Sequence, residues 1–82
     1  PRAEGPRRLT WKEKQELEGM EAAILEAEAH REALGGRLAD PALYASAPGE
    51  VQRLSAEFHA AAARVEALYA RWAELEEAAG AK

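Results

Sequence analysis

The strongest constraint on this chain is a heptad spacing of apolar residues that occurs once in each half. In the second half, apolar side chains recur at alternating intervals of three and four residues, at Val51, Leu54, Phe58, Ala61, Val65, Leu68, Trp72 and Leu75. The first half repeats this spacing, with one arginine in the series, at Leu17, Met20, Ile24, Ala27, Arg31, Leu34 and Leu38. Such spacing is typical of helices that pair along an apolar seam. Two seams separated by a short break predict an all-α fold, a two-helix antiparallel coiled-coil hairpin.

The order of side-chain sizes favours pairing of the two seams within one chain. In an antiparallel register, Leu38 faces Val51 and the small Ala27 faces the small Ala61. Opposite charges also face each other in the three pairs Lys14–Glu76, Glu16–Arg71 and Arg37–Glu50, and His30 should lie near Glu57. Exposed pairs of this kind select a register more than they stabilise it. We therefore expect a monomeric hairpin, and a parallel or intermolecular dimer is the alternative.

Local signals place the ends of the first helix. Thr10 and Glu13 fit a capping box, in which each side chain binds the backbone N–H of the other residue, so the helix should begin near Trp11. Pro41 disfavours a helical conformation at the residue before it, so the helix should end near Asp40.

The second helix has weaker signals at its ends. Pro48 suits a first helical turn, with Ser46 or Ala47 as the cap, and Gly80 suits a stop. These signals divide the chain into a basic linker or flexible arm (1–9), the hairpin (10–79) and a tail (80–82). Within the hairpin we expect helices over 10–39 and 48–79, joined by a tip over 40–47.

Composition narrows the class of protein. Eighty-two residues suffice for one small domain without a large core. The absence of cysteine excludes disulfides and thiolate metal sites within this sequence, which suits a reducing cytoplasm. We find no signal peptide and no apolar run of membrane-spanning length, and expect no membrane partner. Because the chain opens at Pro1 without an initiator Met, we expect it to be a piece of a longer protein.

The net charge of −4 is unevenly distributed. Residues 1–14 carry five basic and two acidic side chains, a net charge of +3, whereas residues 15–82 carry six basic and thirteen acidic ones, a net charge of −7. A basic arm before an acidic body can bind a polyanion such as nucleic acid. The candidate contacts are Arg2, Arg7, Arg8, Lys12, Lys14, Arg64 and Arg71. The alternative is that these cations are simply solvated, with Lys14 held by Glu76.

The other side chains give little indication of a catalytic or metal-binding site. Trp11 and Tyr44 can stack on bases if they are exposed, but packing at the open end and under the tip is the favoured interpretation. His30 and His59 lack partners at metal-ligand spacing, and the carboxylates lie on solvated helix faces. A two-helix hairpin offers no pocket in which to shift their pKa values. We therefore predict no catalytic residue, metal site or cofactor in this segment.

Four motifs in order carry a resemblance to a known family. They are Leu9–Glu18 (LTWKEKQELE), Ile24–Leu38, Asp40–Tyr44 (DPALY) and Leu68–Glu76 (LYARWAELE). Together they resemble the C-terminal domain of Uup-type ABC-F ATPases, over nearly everything from Leu9 to Glu76. Ala27 stands where that pattern usually has Leu, so we expect a thinner seam in the middle of this hairpin.

The resemblance implies a parent protein and a function. Members of that family are cytoplasmic, with two tandem ATP-binding cassettes and no transmembrane segment, so ATP and Mg²⁺ would act in the parent outside this segment. The resemblance also implies that this domain is a non-sequence-specific DNA-binding appendage, with branched DNA or ribosomal RNA as further possible targets. The competing hypothesis is a structural or protein-interaction hairpin that docks on its own cassettes or on the ribosome.

Overall fold

A computed structural model describes residues 9–80, which form three helices: α1 (Trp11–Ala39), α2 (Pro41–Ser46) and α3 (Gly49–Ala79). The long helices α1 and α3 lie antiparallel, so Glu16 near the start of α1 meets Arg71 near the end of α3. Closer to the turn, the backbone of Gly35 lies against the ring of Phe58. No strand occurs in these described residues. The predicted all-α helical hairpin is confirmed.

The two predicted seams form the interface between α1 and α3. Every residue of both seams is buried or half-buried. One cluster of buried residues lies near the tip, at Leu34, Leu43, Leu54 and Ala61, and a second lies near the open end, at Met20, Ile24 and Leu75. Leu9, just before the first cap, packs on the second cluster. The spacing of apolar residues therefore identified the core of the hairpin.

The capping box predicted at the start of α1 is present. The backbone N–H of Glu13 donates to Thr10 Oγ1 at 3.1 Å, and the backbone N–H of Thr10 donates to Glu13 Oε1 at 3.0 Å. These bonds satisfy backbone donors that a helix start otherwise leaves without partners. From this cap α1 continues through Gly19 and the Gly35–Gly36 pair to Ala39 without interruption.

The tip contains a helix that the sequence did not predict. Asp40 ends α1 and caps α2, because its Oδ1 accepts from the backbone N–H of Ala42 at 3.0 Å. The short helix α2 places Leu43 in the tip cluster, and the Tyr44 hydroxyl donates to the Leu38 carbonyl at 2.6 Å. The tip is therefore a folded segment that covers the end of the hairpin.

The predicted cap of α3 was wrong. Pro48 is itself the N-cap residue and supplies no side-chain hydrogen bond, and α3 begins at Gly49. Ser46 donates its hydroxyl to the Ala42 carbonyl at 2.7 Å, and Ala47 is the C-cap of α2. Both residues that were expected to cap α3 are thus used by α2.

Candidate nucleic-acid interface

The predicted phosphate contacts fall into separate parts of the molecule. Arg2, Arg7 and Arg8 lie outside the described residues. Lys12 and Lys14 lie in the first turns of α1, at the open end of the hairpin, and both are exposed. The other two are on α3, with Arg64 exposed near its middle and Arg71 half-buried near its end. Each of these locations has its own electrostatic surroundings.

The two lysines present uncompensated charge. In the part of the chain that the structure describes, neither Lys12 nor Lys14 forms an ion pair or a side-chain hydrogen bond. The predicted pair of Lys14 with Glu76 is absent there, and Glu76 accepts instead from Trp72 Nε1 at 3.2 Å. The ring nitrogen of the half-buried Trp72 needs a partner, and a carboxylate one helical turn away supplies it. Both ammonium groups therefore face solvent.

Arg71 is surrounded by carboxylates. Its Nε and Nη2 donate to the two carboxylate oxygens of Glu16 at 2.8 and 2.9 Å, and its Nη1 donates to Glu74 at 2.9 Å. A third carboxylate, that of Glu13, lies 3.7 Å from Nη2. The hydrogen bond from Arg71 lowers the pKa of Glu16, and the bonds to Glu16 and Glu74 raise the pKa of Arg71. This arrangement confirms the predicted Glu16–Arg71 pair.

The contacts of Arg71 bear on the prediction that it binds phosphate. Three carboxylates already occupy its guanidinium, so a phosphate would have to displace them. Arg71 engages Glu13 and Glu16 but shares its single positive charge with Glu74 as well, so these four side chains together keep a net negative charge. Arg71 therefore links α1 to α3 at the base of the hairpin, and its contact with phosphate stays a prediction.

Near the tip, too, an observed ion pair takes the place of a predicted one. Arg53 binds both Glu50 and Glu57 along its own helix, with 2.7 Å between Nη1 and Glu57 Oε2. The hydrogen bond from Arg53 lowers the pKa of Glu50. Arg37 was expected to pair with Glu50, yet no ion pair between them appears in residues 9–80. Side chains three or four residues apart on one helix are already neighbours, so they lose little conformational freedom when they pair. This favours Arg53 over Arg37 as the partner of Glu50.

A groove in the middle of the hairpin contradicts the expectation that this fold has no pocket. It encloses about 430 Å³ and is lined by Ala23, Glu26, Ala27, His30, Glu57, Ala60, Ala61 and Arg64. The facing alanines fill less space than neighbouring seam residues such as Ile24 and Phe58, so the surface is indented there. His30 and Glu57 share the groove, as the predicted register requires. Arg64 lies among these groups, away from the open end.

Trp11 is the functional candidate that the sequence interpretation misplaced. Packing at the open end was favoured, yet Trp11 is 72% exposed. When the heptad spacing is extended backwards from Leu17, it reaches Glu13 and Thr10, which leaves Trp11 beside the seam. This extension of the heptad spacing is the signal in the sequence that indicates an exposed Trp11. Tyr44 is 48% exposed at the tip, with its hydroxyl bound to the Leu38 carbonyl.

Other kinds of site find no support in residues 9–80. No group of three or more His, Asp or Glu side chains there is arranged to hold a metal ion. Neither long helix, over its described residues, has a stretch apolar enough to cross a membrane. The open end, with two unpaired lysines and an exposed tryptophan, is the strongest candidate interface.

Comparison with known proteins gives one match. The family described as ABC transporter C-terminal domain matches residues 8–77. This range includes α1 with the two lysines of the open end, the folded tip and all but the last two residues of α3. No curated protein and no solved structure matches the chain.

Proposed function

This chain belongs to the family of ABC transporter C-terminal domains, and from that premise we propose that it is a nucleic-acid-binding appendage of an ABC ATPase. The ATPase would be of the Uup-type ABC-F kind that its four motifs resemble. In this proposal ATP and Mg²⁺ act in the cassettes of the cytoplasmic parent, and this segment contributes no catalytic group. The domain acts as a monomeric hairpin whose open end meets the nucleic acid.

One observation carries the proposal: the open end holds free positive charge on an otherwise acidic molecule. Lys12 and Lys14 are exposed and unpaired in the described residues, and Arg7 and Arg8 precede Lys12 by five and four residues in the sequence. Arg71 engages the nearby carboxylates of Glu13 and Glu16. On the side where Arg71 lies, the carboxylates already have a cationic partner, which lessens but does not cancel their repulsion of a polyanion.

The same charges limit how tightly and how specifically the domain binds. Lysine and arginine contacts to phosphates fix position without sensing base sequence. The body from residue 15 onward carries six basic and thirteen acidic side chains, a net charge of −7, and repels the rest of a long duplex. We therefore expect salt-sensitive binding without sequence preference, with DNA as the first target.

The test is a fluorescence anisotropy titration against duplex DNA, a branched junction and a structured RNA at low and moderate salt. A second protein lacking residues 1–8 is titrated alongside. We expect the intact chain to bind, and the plot of log K against log salt to become shallower by up to about 2.7 on truncation, about 0.9 for each arginine removed. No binding to any of the three ligands at low salt would overturn the proposal.

The groove in the middle of the hairpin favours a second candidate, a hairpin that docks on its own cassettes or on the ribosome. The groove is lined by alanines and flanked by Glu26, Glu57 and Arg64, which suits contact with a helix. Nuclear magnetic resonance shifts of the labelled domain, measured with added cassettes, distinguish the two candidates. Shifts around Ala27 and Ala61 together with no nucleic-acid binding would favour docking.

A further inference from the structure

We propose that Trp11 is a stacking platform for an unpaired base and that Lys14, on the same face of α1, holds the adjoining phosphate. The inference rests on the proposed function and deepens it, because it names the form of nucleic acid that the open end prefers. The ligand class is single-stranded nucleic acid, including the unpaired strand of a branched or frayed duplex.

The side chains around Trp11 are arranged as such a site requires. Residues three and four positions apart on a helix lie about 5–6 Å apart between Cβ atoms, so Lys14 and Gln15 share the face of Trp11. All three are exposed, and Trp11 exposes 72% of its surface. An indole face offers a large stacking area to any base, and a lysine beside it offers a charge to the backbone.

The indole also stands on an ordered part of the helix. Trp11 is the first residue of α1, directly after the capping residue Thr10. The reciprocal bonds between Thr10 and Glu13 hold this first turn, and Leu9 packs on the apolar cluster at the open end. The backbone that carries the platform is therefore fixed before a ligand arrives, which lowers the entropy lost on binding.

Two of the acids near Trp11 are held by α3. Glu13 and Glu16 reach across to Arg71 on α3, with closest distances of 3.7 and 2.8 Å. Lys12 and Lys14 have no such partner in the described residues. The side of α1 that carries Trp11 thus combines an aromatic surface with the unpaired positive charge of Lys14, which suits a ligand with a base and a phosphate. The exposed Glu18 on this side lies about two helical turns from the indole.

The exposed indole should prefer unpaired bases to the paired bases of a duplex. The bases of an intact duplex are stacked on each other and offer their faces only at its ends, whereas an unpaired strand offers every base. Phosphates are available in both forms. Substitution of Trp11 should therefore weaken binding to single strands selectively, and substitution of the lysines should weaken binding to both.

The test uses the whole chain and its Trp11→Ala and Trp11→Tyr variants, titrated with oligothymidylate and with a duplex of the same nucleotide number. Leu25→Ala is the matched control, since Leu25 is 64% exposed on α1 away from the open end. We expect Trp11→Ala to weaken single-strand binding about fivefold or more, the lower end for loss of one stacked base. Trp11→Tyr should retain most of the affinity, and duplex binding and Leu25→Ala should change less than about twofold.

Tryptophan fluorescence provides the second measurement. Oligothymidylate should quench the emission of the intact chain, and most of that quenching should vanish in Trp11→Ala, which retains only the half-buried Trp72. Unchanged single-strand affinity in Trp11→Ala, with continued loss of binding on truncation of residues 1–8, would overturn the stacking platform and leave the proposed function standing. An intact chain that binds neither ligand would overturn both.

Discussion

At the scale of single residues, Arg71 is the centre of the ion-pair network at the base of the hairpin. It joins α1 to α3 through Glu16 and pairs along its own helix with Glu74. Exposed pairs alone contribute little to stability, but a bidentate arginine within a network has a defined geometry. Its second effect is local: its positive charge partly offsets the charge of Glu13 and Glu16 beside the lysines of the open end.

This network predicts how the fold responds to acid. The hydrogen bond from Arg71 lowers the pKa of Glu16 below its ordinary value of 4.5, so the folded state holds the ionised form more strongly than the unfolded state does. The stability gained is present above about pH 4.5 and is lost as the pH falls through the lower, folded-state pKa. We expect the Glu16→Gln variant to melt at a lower temperature than the parent at pH 7, and the difference to shrink towards pH 3.

The measurement is thermal unfolding of the unsubstituted chain and of the variant, followed by circular dichroism at pH 7 and at pH 3. Glu18→Gln is the control, because Glu18 is an exposed glutamate of α1 that forms no ion pair within residues 9–80. Its melting temperature should stay close to that of the parent at pH 7. A gap between Glu16→Gln and the parent that is equally large at pH 3 would contradict the ionic origin of the contact.

At the scale of elements, α1 contains two adjacent glycines with different surroundings. A Cβ atom added at Gly36 would meet no neighbouring atom within 4 Å, whereas one added at Gly35 would lie 3.3 Å from Phe58 Cε1. Glycine inside a helix costs roughly 0.5–1 kcal/mol relative to alanine. Phe58 therefore uses the missing side chain of Gly35 to pack closely on α1.

The two glycines form a matched pair for substitution. We expect Gly36→Ala to raise the free energy of unfolding by about 0.5–1 kcal/mol. Gly35→Ala should gain less, because the aromatic ring has to shift by a few tenths of an ångström to admit the methyl group. Urea unfolding followed by far-UV circular dichroism gives both values, and equal gains would show that Phe58 yields freely.

The same elements show what the sequence could and could not predict. The spacing from Leu17 to Leu38 fixed the buried face of α1, and the pairing of Glu16 with Arg71 followed from the register. The helix α2 was missed because Ser46 and Ala47 suit the end of one helix as well as the start of another. The exposure of Trp11 depends on where tertiary packing stops, which local spacing defines poorly at a helix end.

At the scale of the whole molecule, the hairpin is long, and the charges at its two ends are far apart. Its radius of gyration is 18.2 Å and its long dimension is 60 Å, whereas a compact domain of this length has a radius of gyration of about 12 Å. A rod of this kind holds its two ends far apart compared with the Debye length of about 8 Å at physiological salt. The free lysines at the open end can therefore act independently of the charges at the tip.

The measurement that tests the central claim most directly compares two charge-matched double variants. Lys12→Gln with Lys14→Gln removes both lysines at the open end, and Arg37→Gln with Arg53→Gln removes the same charge near the tip. For each chain, the affinity for a single DNA ligand is measured across a series of salt concentrations. We predict that the lysine variant has a plot of log K against log salt shallower by up to about 1.8, about 0.9 for each phosphate that is no longer neutralised. The tip variant should keep the parent slope, and equal slopes for all three chains would contradict binding at the open end.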